Sequence, residues 1–114
     1  MGCRVQLVQG SVANKDDVTR AISGAHSQLK AILQMSMLLR DTVFANMTWD
    51  DWHAAMGCKA QGNWNLHEVS IATGSELDFF VMFSSVSGIV GNMGQANYNA
   101  QTPSSMPSPS TAPD

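Results

Sequence analysis

Charge is scarce in this sequence. Only 13% of its 114 residues are Asp, Glu, Lys or Arg, and a net charge of -3 offers a phosphate backbone no counter-field, which removes nucleic acid from the expected partners. Cysteine is scarcer still. Cys3 and Cys58 match no metal-ligand spacing and read as reduced thiols, so neither a disulfide framework nor a zinc site is expected. His26, His53 and His67 lack ligand-like spacing and add no metal site. No apolar run is long enough for a membrane span, Met1-Gly2-Cys3-Arg4 carries no signal core, and Gln6 stands where a myristoylation motif needs Ser or Thr. The expectation is a cytoplasmic chain that engages neither membrane nor nucleic acid.

What is present is apolar content, at 44% of residues, enough for a globular interior. The pattern alternates between strand and helix. Arg4 to Gln9 is rich in Val and Leu and reads as a strand ended by the turn Gly10-Ser11-Val12. Asn14 to Gly24 reads as a helix, with Asp16 and Asp17 complementing its dipole and Gly24 terminating it. Leu29 to Met35 is placed where a β/α chain needs its next strand. Thr48 to about Thr73 is the longest helical segment, opened by Thr48 and Asp51 in a capping-box-like arrangement. Trp52, Ala55, Met56, Lys59, Gly62 and Asn63 fall on one side of it. Leu77 to Ser84 is nearly unbroken apolar sequence, as in a parallel strand buried on both faces. This order implies βαβ crossovers and an α/β fold with an open parallel sheet, whose ligands bind beyond the carboxyl ends of the strands. Ser84-Ser85 sits at one such end.

The chemistry-bearing segment follows that strand: Phe83-Ser84-Ser85-Val86-Ser87-Gly88-Ile89-Val90-Gly91-Asn92-Met93-Gly94-Gln95-Ala96-Asn97-Tyr98. It sets a serine hydroxyl thirteen residues before a tyrosine phenol across a glycine-rich loop. Upstream lies Lys59-Ala60-Gln61-Gly62-Asn63-Trp64-Asn65-Leu66-His67-Glu68, with Lys59 preceding Ser85 by 26 residues. These words resemble the active-site segment of the short-chain dehydrogenase/reductase superfamily, and in particular the ketoreductase domain of reducing, fungal-type polyketide synthases. The resemblance implies an α/β fold, the central and C-terminal half of a Rossmann-like doubly wound parallel sheet, over residues 4–100. It implies NADPH-dependent reduction of a β-ketoacyl group, carried on an acyl carrier protein, to the β-hydroxyacyl product.

Such a reduction needs a proton donor at the carbonyl oxygen and a second hydrogen bond holding that oxygen while hydride arrives. A phenol keeps its proton far above neutral pH unless a nearby ammonium favours the ionised form. By the resemblance, Tyr98 is the general acid, Ser85 bonds the substrate carbonyl, and Lys59 is the ammonium. Free-standing superfamily members place the lysine four residues after the tyrosine, where this chain has Thr102, whereas modular ketoreductases place it as Lys59 is placed. The cofactor-contacting positions implied are Ser11 and Val12, matching a Gly-Asp-Val word, and Gln34, Met35 and Ser36 at the end of a strand. Met35 stands where the family has a small residue, and Ser11 replaces an adenine-contacting Asp. Leu39-Arg40-Asp41 departs from the Leu-Asp-Asp fingerprint of one stereochemical class, and Val90 stands where the other class has Trp.

Two departures shape the functional expectation. No Gly-x-Gly-x-x-Gly-like phosphate turn occurs in these residues; Gly88, Gly91 and Gly94 belong to the Ser-to-Tyr loop. A doubly wound nucleotide-binding domain also needs roughly twice this length. The isolated chain is therefore expected to be an inactive fragment, or alternatively a binding module whose open sheet pairs with a separate polypeptide supplying the N-terminal half. Residues 101–114 read as a disordered Pro/Ser-rich tail. Restoring one base at Ala100 lets Gln101 to Ser108 be regrouped as Ala-Asn-Thr-Phe-Leu-Asp-Ala-Phe, the family's continuation, so the tail is read as frameshifted or mis-spliced.

Overall fold

The computed structural model describes residues 2–101. Helix α1, Lys15–Ser23, begins where the carboxamide of Asn14 accepts from the backbone N–H groups of Asp16 and Asp17, and it ends at Gly24. Strand β1, Ala31–Gln34, follows. The crossover from β1 to the next strand contains a 3₁₀ turn, Phe44–Asn46, and then three contiguous helical pieces. These are α2 (Trp49–Met56), a π-helical turn (Gly57–Gln61) and α3 (Gly62–Ala72). Thr48 and Asp51 form the expected reciprocal capping box at the start of α2. Strand β2, Phe79–Met82, lies parallel to β1 with Ala31 opposite Phe79 and Gln34 opposite Met82. Two short helices complete the described residues, α4 (Ser87–Val90) and α5 (Ala96–Ala100).

The α/β class, the parallel pairing and the helix limits agree with the sequence pattern. The strand expected at Arg4 to Gln9 is corrected: these residues form no ladder and are exposed, with Leu7 at 93%. Alternation of Val and Leu suffices for strand propensity, but a strand exists only where a neighbour takes its N–H and C=O groups, and the sheet described here contains β1 and β2 alone.

A second correction concerns β2. Ile32 and Gln34 of β1 are buried on one face of the sheet, and their partners Phe80 and Met82 are half-buried on the same face. On the opposite face Leu33 and Phe79 are 56% and 51% exposed. An apolar run therefore marks a strand that could be covered on both faces, while only one is covered among the described residues.

The core holds Val18 of α1, Ile32, Ala55 and Val69, with Tyr98 at its edge. Asn65 of α3 reaches across to donate to the Val12 carbonyl at 2.9 Å, and Lys15 of α1 meets Glu68 of α3 at 2.7 Å. Gln101, assigned from sequence to a disordered tail, is instead buried and donates through Nε2 to the Asn97 carbonyl at 3.1 Å. The rest of that tail, 102–114, with its reading as a shifted frame, lies outside the described residues. Among the described residues no helix is long and apolar enough to cross a membrane.

Candidate active site

The carboxyl end of β2 delivers the site. Phe83 extends the ladder by donating its N–H to the Gln34 carbonyl at 3.0 Å, and the chain then leaves the sheet through Ser84 and Ser85. The Phe83 carbonyl, freed from the ladder, accepts from Lys59 Nζ at 2.8 Å. Lys59 is 6% exposed, so its ammonium is drawn inward along the π-helical turn rather than left on a solvated face. Its Nζ stands 5.3 Å from the centroid of the Tyr98 ring, within reach of a cation–π attraction.

The loop from Ser85 to Tyr98 turns at Gly91 and Gly94, which hold φ of 75° and 77°, the left-handed region that side chains with a Cβ rarely adopt. These turns bring α5 back against α2, and Tyr98 with it. Ser85 is half-buried, and its hydroxyl shares a 2.6 Å hydrogen bond with that of Ser87. The Ser87 N–H also donates to Ser85 Oγ at 3.3 Å. Lys59 and Tyr98 are thus brought together, with the Phe83 carbonyl two residues before Ser85 as their shared landmark.

The five positions expected to touch a cofactor divide differently. Gln34 is buried and both ends of its carboxamide are engaged within the protein: Nε2 donates to the Cys58 carbonyl at 3.2 Å, and Oε1 accepts from the Ser36 N–H at 3.1 Å. Ser36 Oγ donates to that same Cys58 carbonyl at 2.8 Å. Both side chains therefore brace the end of β1 against the π-helical turn that carries Lys59. Met35 between them is 62% exposed and presents its thioether outward. Ser11 shapes the turn into α1, accepting from Ala13 N–H through Oγ and donating its own N–H to Asp17. Val12 gives its carbonyl to Asn65.

A cavity of about 530 Å³ opens between the Ser11 turn and the π-helical turn, lined by Ser11, Ala13, Leu38, His53, Cys58 and Gln61 among others. Neither Lys59, Ser85 nor Tyr98 lines it. Burial raises the pKa of the Cys58 thiol, which donates to the Ala55 carbonyl, so this sulfur is no ready nucleophile. A nicotinamide dinucleotide fits these residues only in part. Met35 and the Ser11 turn are exposed and open to a ligand, whereas the Gln34 and Ser36 side chains are already engaged within the protein.

Two contributions to the site are not legible in the sequence. One is the Cys58 carbonyl, a backbone acceptor whose role depends on a π-helical turn that has no sequence signature. The other is Gly62, where a Cβ would come 2.8 Å from Val12 Cγ2 and 3.0 Å from Gln34 Nε2. Its place on the buried side of the helix was readable, and its lack of room was not.

Known proteins give the arrangement its context. The highly reducing polyketide synthase sphB of Aspergillus fumigatus is 55% identical over 98 residues, which is 86% of this chain and 4% of that protein. The chain thus spans about 4% of the length of this relative. Among solved structures, an N-terminal ketoreductase from the macrolactin assembly line superposes with a TM-score of 0.72 at 26% identity, over 81% of this chain and 19% of that one. The first ketoreductase of the tylosin polyketide synthase gives a TM-score of 0.69 at 29% identity, over 81% of this chain and 20% of that one. The family model for the KR domain matches residues 1–103, and the chain belongs to that family, within the short-chain dehydrogenase/reductase fold.

Proposed function

We propose that these residues are the proton-donating segment of an NADPH-dependent ketoreductase acting on a β-ketoacyl group tethered to an acyl carrier protein. The observation that supports this reading most is the Lys59 ammonium held at 2.8 Å from the Phe83 carbonyl and 5.3 Å from the Tyr98 ring centroid. When bound, the cofactor supplies hydride to the β-carbon. Tyr98 then gives its phenolic proton to the carbonyl oxygen, leaving a hydroxyl on the product and a phenolate on the protein. Lys59, hydrogen-bonded in place, opposes the developing negative charge. Ser85 donates to the substrate oxygen, a role its hydroxyl can take by turning away from Ser87. Ser11, Val12 and Met35 offer the cofactor edges and backbone, while Gln34 and Ser36 act behind them as braces. The reading places the protein in the cytoplasm.

The isolated 114-residue chain, in this proposal, does not turn over. The phosphates of the dinucleotide need a glycine-rich turn at a helix N-terminus, and these residues contain none. A second reading, half of a split reductase or an interaction module, is favoured by the open face of the sheet at Leu33, Phe79 and Val81. NADPH oxidation followed with a β-ketoacyl thioester distinguishes the two. The chain is assayed alone and mixed with a polypeptide that carries the strand and glycine turn. Activity only in the mixture supports a split enzyme, and no activity in either leaves the fragment reading. Reduction by the chain alone refutes both.

A further inference from the structure

Asn97 is the largest side chain in the described residues with essentially no solvent exposure, and its carboxamide is fully engaged. Nδ2 donates to the Arg40 carbonyl at 3.1 Å and to the Asp51 carbonyl at 3.2 Å. Oδ1 accepts from the N–H of Tyr98 at 2.8 Å. A carboxamide has two N–H donors, and here both are spent on carbonyls from different parts of the chain. Arg40 lies in the loop after β1, and Asp51 lies in the first turn of α2.

Helix α5 has no side-chain cap before its first residue. One of its orphan first-turn donors, the Tyr98 N–H, is satisfied from within by Asn97. The tyrosine backbone is therefore held by a side chain that is itself held by two other segments. Two neighbouring bonds follow the same seam: Gln95 Nε2 donates to Asp41 at 3.0 Å, and the Thr42 N–H donates to the Gly94 carbonyl at 2.9 Å. The Lys59 ammonium is fixed independently, through the Phe83 carbonyl.

We propose that Asn97 is a positioning residue, which sets the Tyr98 ring against the Lys59 ammonium by tying the start of α5 to the loop after β1 and to the first turn of α2. The proposal deepens the ketoreductase reading and rests on its Tyr98–Lys59 pair. Alternatives at this position fail for stated reasons. An aspartate keeps the acceptor for the Tyr98 N–H but sets a carboxylate against two carbonyl oxygens with no proton to share. An alanine takes the donor away from the Arg40 and Asp51 carbonyls and leaves the buried Tyr98 N–H without its side-chain acceptor.

The chain has a single tyrosine, so incorporation of 3-fluorotyrosine gives one ¹⁹F resonance reporting on Tyr98 in the unmodified 114-residue chain. Substituting Lys59→Met removes the charge near the ring and moves that resonance. The expected result is that the same substitution moves it less than half as far when Asn97 is replaced by Ala or by Asp. In a Val18→Ala background, destabilised at a distance in α1, the full displacement is kept. A Lys59→Met displacement undiminished in both Asn97 variants overturns the role of Asn97 alone. No displacement even with Asn97 present overturns the Tyr98–Lys59 pair, and the ketoreductase reading with it. Should both Asn97 variants fail to fold, hydrogen exchange of the Asn97 side-chain amide in the unaltered chain decides. Protection supports the tether, and exchange at the rate of an exposed amide refutes it.

Discussion

The ammonium of Lys59 and the ring of Tyr98 lie 5.3 Å apart, nitrogen to centroid, although 39 residues separate them in sequence. Lys59 cannot relax away from this place without abandoning the Phe83 carbonyl, its 2.8 Å acceptor. Replacing Lys59 by Met is expected to lower β-ketoacyl reduction by about 100-fold or more in whichever assembly is active, the range associated with a lost acid–base partner. It also leaves the Phe83 carbonyl without its side-chain donor, for about 1–3 kcal/mol of lost stability. Parallel rate and urea-unfolding measurements check both. A variant that unfolds earlier yet reduces at the normal rate assigns Lys59 to structure alone.

Ser85 offers a contrast, because its hydroxyl has a partner on the protein, Ser87 at 2.6 Å, before any substrate arrives. Ser85→Ala is expected to slow reduction by roughly 100-fold, as for a lost oxyanion donor, with thermal stability almost unchanged. Single-turnover kinetics beside a melting curve decide the matter, and an unchanged rate removes Ser85 from the site.

Close approach at Gly62 makes a third test. A methyl group there meets Val12 Cγ2 at 2.8 Å and Gln34 Nε2 at 3.0 Å, and Gln34 cannot yield without loosening its bond to the Cys58 carbonyl. Gly62→Ala is expected to destabilise the chain by about 1–3 kcal/mol despite the better helix propensity of alanine. Urea denaturation reads this directly. A neutral or stabilising result means the helix and β1 can separate freely.

These examples show which parts of the molecule a sequence carries openly. Helices α1 and α2 were legible because their start signals are local: Asn14 ahead of Asp16 and Asp17, and Thr48 three residues before Asp51. The Ser85-to-Tyr98 word was legible because loop glycines and spacing travel together. Arg4 to Gln9 was misread because strand pairing is not local, and alternation says nothing about whether a neighbour is present. Gln34 braces the π-helical turn, a role its sequence position does not reveal, since a carboxamide's direction is set by which buried carbonyl lacks a partner. Gln101 fell within a polar tail by composition, yet its carboxamide found the Asn97 carbonyl.

Capping of α1 makes a fourth test, separable from the site. Asn14 Oδ1 accepts from the Asp16 N–H at 2.9 Å and from the Asp17 N–H at 3.4 Å. Asn14→Ala is expected to cost about 1 kcal/mol, whereas Asn14→Asp is nearly neutral on the cap because it keeps the acceptor. Equal destabilisation by both variants would mean that the cap is not what Asn14 contributes.

Acid titration tests the two carboxyls whose folded states are perturbed. Hydrogen bonds from the Thr48 side chain and backbone hold Asp51 below the usual carboxylate range. A hydrogen bond from Lys15, aided by the charge of that lysine, does the same for Glu68. In each case the folded chain releases its proton more readily than the unfolded one, so the stabilisation is complete above the ordinary carboxylate range. It is lost as the pH falls through the lowered folded values. Both groups are solvent-exposed, which makes the effect modest and sensitive to salt. Melting temperatures taken from about pH 6 down to about pH 3 are expected to fall. The Asp51→Asn, Glu68→Gln double variant starts lower but declines less steeply over the same interval. Identical slopes for the two proteins place the acid sensitivity in other carboxyls and refute the assignment.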